Sequence, residues 1–124
     1  MTDPVQVSFR ITAGGSAVMS EIVSHMDGKS DDMITMFNMD GDRLLLTHYC
    51  EAGNQPRMKA SVSPDGKTLT FDFVDATNLT SAQPGHMQRV VFNLIDANHH
   101  TEEWHFATGN GKEMVRTFDL QKKS

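Results

Sequence analysis

The chain has 124 residues, of which 38% are hydrophobic and 22% charged, with a formal net charge of −5. That is one domain, large enough to bury a core without staples and too apolar to be a disordered tail. No apolar run approaches the ~20 residues that span a bilayer. The single cysteine excludes an internal disulfide framework and a Cys-rich zinc module. The acidic balance argues against a nucleic-acid partner, which needs a basic face.

The first residues, Met1-Thr2-Asp3-Pro4, carry neither a basic stretch nor an apolar run, so no signal peptide is visible. If the chain is full-length, the expectation is a cytoplasmic protein. Turn signals recur from there on. They are Ala13-Gly14-Gly15, Met26-Asp27-Gly28-Lys29, Asp40-Gly41-Asp42, Ala52-Gly53-Asn54, Pro64-Asp65-Gly66-Lys67, Asp96-Ala97-Asn98 and Gly109-Asn110-Gly111-Lys112. Glycine supplies positive φ, Asp and Asn cap their own turns, and proline presets φ. Short segments rich in Val, Ile, Phe, Thr and Met lie between them, a meander pattern.

Nine strands are predicted, over 5–12, 16–24, 32–39, 43–50, 56–63, 67–74, 86–95, 101–107 and 113–121. In the first, Val5, Val7, Phe9 and Ile11 share one face. The second is ambiguous, because Val18, Met19, Ile22, Val23 and Met26 also fit helical spacing; a strand is favoured because long meanders rarely interrupt themselves. The third is apolar on both faces, as in a strand covered on two sides or one in a subunit interface, which keeps a homodimer in view. Leu69, Phe71 and Phe73 oppose Thr68, Thr70 and Asp72 in the sixth, and Val90, Phe92 and Leu94 oppose Arg89, Val91 and Asn93 in the seventh. A period of two means one buried and one solvated face. Between these two strands, residues 75–85 lack periodicity, and a loop of that length is often functional. Nine sequential antiparallel strands leave two edges, which closure removes. The expected architecture is all-β, an up-and-down meander closing into a barrel or strongly curved half-barrel. Such a barrel is just wide enough for its own side chains or one small ligand.

Asp42-Arg43-Leu44-Leu45-Leu46-Thr47-His48-Tyr49-Cys50, followed by Asn54-Gln55-Pro56-Arg57-Met58, is similar to a family of uncharacterised bacterial domains described as lipocalin-like or calycin-like β-barrels. Phe71-Asp72-Phe73, Thr77-Asn78-Leu79, Gly85-His86-Met87 and Glu103-Trp104 extend the resemblance over residues 16–121. It implies the barrel fold and carries no activity with it. The Gly-x-Trp of the transport lipocalins is absent, the region reading Val7-Ser8-Phe9-Arg10.

Polar residues on apolar faces mark the candidate chemistry. His48 continues the face of Leu44 and Leu46, with Asn54, Gln55 and Arg57 beyond the next turn. An inward histidine at a barrel mouth can hold a ligand, ligate a metal or act as acid and base; the plain alternative is a core histidine with one partner. Cys50 shares the His48 face but stands ~6–7 Å away along the strand, too far for a Cys–His pair. His86 and Gln88 share the parity of Val90, Phe92 and Leu94, where the long loop joins the barrel. Arg116 shares the parity of Met114, Phe118 and Leu120, and needs an anion, since a bare buried charge is costly. That anion is a ligand carboxylate or, more plainly, Glu21; stacking on Trp104 is the other ordinary role. Trp104 packs in the core or walls a ligand. His99 and His100, with Glu102 and Glu103, sit beside a hairpin tip, where adjacent histidines take up metal adventitiously. Asp40-Gly41-Asp42 is too short for a Ca²⁺ loop, and Gly109-Asn110-Gly111-Lys112 lacks P-loop spacing.

The expected function is a small-molecule-binding domain with an apolar or amphipathic ligand inside the barrel. Phe9, Phe71, Phe73, Phe92 and Phe118 floor the cavity. His48, His86, Gln88, Trp104, Arg116, Asn54 and Arg57 orient the ligand. No metal, cofactor or catalytic residue is assigned. The alternatives are an enzyme using His48 or His86 as general base, and a filled barrel serving a structural or interaction role.

Overall fold

A computed structural model describes residues 5–26 and 29–122. The turn expected at 26–29 and the N-terminal residues read for a signal peptide fall partly or wholly outside them. Nine strands form one antiparallel sheet in sequence order: β1 (Val5–Thr12), β2 (Ala17–Met26), β3 (Lys29–Asp40), β4 (Arg43–Tyr49), β5 (Gln55–Val62), β6 (Thr68–Thr77), β7 (His86–Asp96), β8 (His99–Ala107) and β9 (Glu113–Gln121). The sheet curls into a nearly closed barrel. The helical content among the described residues is one 3₁₀ turn, Ala13–Gly15, and no helix there is long and apolar enough to cross a membrane.

The turns form where small polar residues satisfy their own backbone. Between β5 and β6, Asp65 Oδ1 accepts from the Lys67 N–H at 3.0 Å, and Gly66 takes φ +73°. Between β7 and β8, Asp96 Oδ1 accepts from the Asn98 N–H at 2.7 Å. Side-chain acceptors of this kind close a chain reversal locally.

Closure is incomplete at one seam. β1 pairs only with β2 and β9 only with β8. A slot of about 790 Å³ runs between Val5–Phe9 on one side and Asp119–Lys122 on the other. Phe9 reaches across to His100, ring centroids 5.9 Å apart. This position leaves Phe9 48% exposed, so it rims the seam rather than flooring the interior.

The interior is filled at its middle. Ile22, Leu46, Met58, Phe71, Val90, Trp104 and Phe118 are buried there. Each such side chain contributes ~1.5–3 kcal/mol by leaving water. Phe37, Phe71 and Phe92 pack edge to face, with centroids 5.7–6.0 Å apart, the geometry ring quadrupoles prefer. The ambiguity over β2 has a physical source. Its buried interior row includes Ser20, Ile22 and Ser24, so small polar residues interrupt the apolar alternation.

Three β-bulges among the described residues reset the parity elsewhere, at Val74 on β6 and at Gln88 and Ile95 on β7. On β6 the register steps from Met58↔Phe73 to Arg57↔Asp75, leaving Val74 unpaired. Phe73 ends 37% exposed, not in the core. On β7 it steps from Met87↔Phe106 to Arg89↔His105, leaving Gln88 unpaired. A bulge inserts one residue and exchanges the faces beyond it.

Phe71 touches the aromatic cluster and is 1% exposed. Phe71→Ala is expected to cost ~3–5 kcal/mol in chemical denaturation, while Phe73→Ala should cost less than ~1.5 kcal/mol. Equal losses would show that the β6 bulge is misplaced.

Candidate functional site

In a meander, alternate turns share an end of the barrel. The β1–β2, β3–β4, β5–β6 and β7–β8 turns gather at one end, and the β4–β5, β6–β7 and β8–β9 connections at the other. A cavity opens at each end, and the Trp104 layer separates the two.

At the β8–β9 end lies a cavity of about 530 Å³, walled by Met33, Met87, Trp104, Phe106, Arg116 and Phe118, with Cys50 and Glu51 on its β4–β5 side. Arg116 stands opposite Trp104 in the β8–β9 register. Its guanidinium carbon lies 4.7 Å from the Phe118 ring centroid. Its guanidinium thus makes a cation–π contact with Phe118 rather than stacking on Trp104. Glu21, the ordinary partner expected from the sequence, borders the seam slot instead. Among the described residues no carboxylate forms an ion pair with Arg116.

His48 lies beneath this cavity, fully buried. Its Nδ1 and the Thr35 hydroxyl share a hydrogen bond of 2.9 Å. Its ring packs on Trp104, centroids 4.5 Å apart. Nε2 has no hydrogen-bond partner among the described residues. Burial disfavours the charged imidazolium and lowers the His48 pKa from 6.5 to about 4. The ring is therefore neutral at physiological pH, and it borders none of the cavities described here.

The other residues expected in the site lie elsewhere. The Gln88 bulge carries His86 and Gln88 out of the interior row, and Met87 packs against the core in their stead. Gln88 donates to Glu113, which also bonds His105 on the outer face. His86 Nδ1 bonds the Pro84 carbonyl at 2.8 Å, and its ring lies against Phe73. The expected convergence of His48, His86 and Arg116 on one cavity is thus not what the geometry shows. Arg57 forms a two-pronged ion pair with Asp75, at 2.7 and 2.5 Å, half exposed on the outer face. That hydrogen bond and the opposing charge hold the Asp75 carboxyl below its usual range. Asn54 is buried and donates to the Gly85 carbonyl at 2.8 Å, tying the β4–β5 turn to the long loop. That loop spans 78–85 and is pinned again where Asn78 donates to the Gly53 carbonyl at 2.6 Å. Of the expected set, Trp104 packs on His48 and stands opposite Arg116 in the β8–β9 register.

The opposite end holds a cavity of about 410 Å³ lined by Phe9, Phe37, Leu44, Phe71, Phe92 and His100, with further aliphatic residues. Behind it stands Glu102, fully buried. Its Oε1 accepts from the Trp104 indole N–H at 3.1 Å, and its Oε2 is 3.0 Å from His100 Nε2. His100 and Glu102, expected from the sequence beside a hairpin tip, instead border and back this cavity. Parity was the available signal, since both share the face of Trp104. His99 lies on the alternate face and bonds Asp119. The adjacent histidines therefore diverge, and no group of three or more metal-ligating side chains gathers among the described residues.

On the outer face His105 sits between Glu113 and Glu103, at 2.8 and 2.6 Å. Partial burial opposes its charge, but the two carboxylates prevail and raise its pKa. This pair of contacts stabilises the fold below the ordinary histidine pKa and weakens as pH rises through the raised value.

His48 has the opposite linkage. The unfolded chain takes up the proton near 6.5 and the folded chain only near 4. Between those values the unfolded state binds more protons, so stability falls as pH falls. The loss between pH 6.5 and 4 is on the order of 3 kcal/mol. Urea titrations across that window should show it in the wild type and a correspondingly shallower slope in His48→Gln. Identical slopes would mean that His48 is not buried as a neutral ring.

No known protein family matches the chain, and no curated protein sequence does.

Proposed function

We propose that the protein binds an amphipathic small molecule in the cavity at the β8–β9 end, with its anionic head on Arg116 and its apolar body against Trp104, Phe106 and the methionines. The observation that carries this reading is Arg116 itself. It is partly buried on the interior face of β9, and no described carboxylate neutralises it. A guanidinium in an apolar wall is costly unless an anion meets it, and its fork suits a carboxylate.

Three further features support it. The volume, about 530 Å³, falls in the range of small-molecule sites, ~300–1,000 Å³. Met33, Met87 and Met114 line it, and methionine adapts to irregular ligands. The β4–β5 turn and the 78–85 loop are tied together at the same end by Asn54. Glu51 also borders the cavity and favours a ligand whose anion sits deep rather than at the mouth. The enzyme alternative has less behind it, because His48 is sealed below Trp104 and His86 is held at the outer end of β7 by the Pro84 carbonyl. The filled-barrel reading describes the middle layer but leaves the Arg116 charge without an anion among the described residues.

Trp104 is the sole tryptophan, so intrinsic fluorescence reads the site directly. Titration with dodecanoate should change Trp104 emission saturably, and Arg116→Leu should weaken that binding about tenfold, or ~1.4 kcal/mol, while leaving dodecanol unaffected. Equal binding of dodecanoate by wild type and variant would overturn the proposal.

A further inference from the structure

We propose that the cavity at the opposite end is a second, separate binding site, for a neutral apolar molecule bearing a hydroxyl group, and that His100 is its hydrogen-bond acceptor, oriented by Glu102.

The argument begins with the buried carboxylate. Glu102 is 0% exposed on a strand face that a filled core would give to leucine. Burying a carboxylate costs several kcal/mol unless it is well bonded. Satisfying the Trp104 indole needs one acceptor, which a carbonyl or an amide side chain supplies as well. The second oxygen meets His100 Nε2 at 3.0 Å. With Glu102 ionised, the carboxylate only accepts and Nε2 carries the proton between them. In the neutral ring this leaves the lone pair on Nδ1.

Nδ1 has no hydrogen-bond partner among the described residues, and the His100 side chain, which borders the cavity, is 23% exposed overall. The ring cannot turn freely. It stacks on Phe92, centroids 6.1 Å apart and 8° from parallel, with Phe9 at 5.9 Å on another side. The same histidine borders the seam slot between β1 and β9. Among the described residues that line the cavity, His100 alone carries a side-chain nitrogen or oxygen.

This chemistry defines the ligand class. Phe37, Phe71 and Phe92 favour ring or alkyl surface. A single fixed acceptor favours one donor, a hydroxyl. A carboxylate is disfavoured, because the Glu102 carboxyl group already stands behind the ring. The volume of about 410 Å³ admits a molecule of two or three rings. The two ends of the barrel would thus take different heads, an anion at Arg116 and a hydroxyl at His100.

Calorimetry with biphenyl, 4-phenylphenol and biphenyl-4-carboxylate tests this on the whole chain. Wild type should bind 4-phenylphenol at least about tenfold more tightly than biphenyl, and His100→Leu should lose that preference while still binding biphenyl. Since the leucine variant can fail to fold, ¹⁵N NMR of the wild-type imidazole supplies the second readout. It should show the Nε2–H form of His100, with Nδ1 shifting on addition of 4-phenylphenol, and Glu102→Gln should move the proton toward Nδ1. Equal affinity for biphenyl and 4-phenylphenol, a preference surviving in His100→Leu, no binding of either by folded protein, or an unmoved Nδ1 resonance would each overturn the proposal.

Discussion

The hydrogen bond from the Trp104 indole to Glu102 organises the interior. Trp104 spans the middle of a barrel too narrow to leave that space open, and so it divides the lumen into two cavities. Its ring covers His48 on one side and stands opposite Arg116 on β9. Its N–H fixes one oxygen of Glu102, and the other oxygen fixes His100. A single buried carboxylate thereby sets the position of the plug and the orientation of a histidine at the far cavity. Such a network is stable only when nearly every polar atom is met. The buried atoms left unmet among the described residues, Ser24 Oγ, His48 Nε2 and Asn54 Oδ1, lie outside this bond pair.

Much of the fold was legible because it depends on local chemistry. Asp and Gly turn signals and two-residue alternation place all nine strands, and sequential strands in a meander pair with their neighbours without further information. Even β2, with its competing helical spacing, pairs as a strand, because β1 and β3 flank it along its length. The parity of Arg116 and His48 was legible in the same way.

The limits of that reading are equally local. A bulge has no reliable sequence signature, yet the one at Gln88 moves His86 and Gln88 out of the interior row, and the one at Val74 accompanies the exposure of Phe73. Arg57 and Asn54 lie near the family-like motif in the chain, but one is neutralised by Asp75 and the other ties two loops. Glu102 was illegible in the sequence for a different reason. A glutamate beside a turn reads as solvated, and only its shared parity with Trp104 indicates burial.

The two ends of this barrel differ in polarity, and the difference traces to which residue breaks each apolar wall. Both depend on Trp104 being held in place by Glu102, so the exchange of the indole proton is the most direct measurement. As the sole tryptophan, it gives one side-chain indole resonance. The account predicts a single sharp indole N–H that exchanges with deuterium far more slowly than free indole and moves on Glu102→Gln. An indole proton exchanging at the free rate, or unchanged by that substitution, would contradict it.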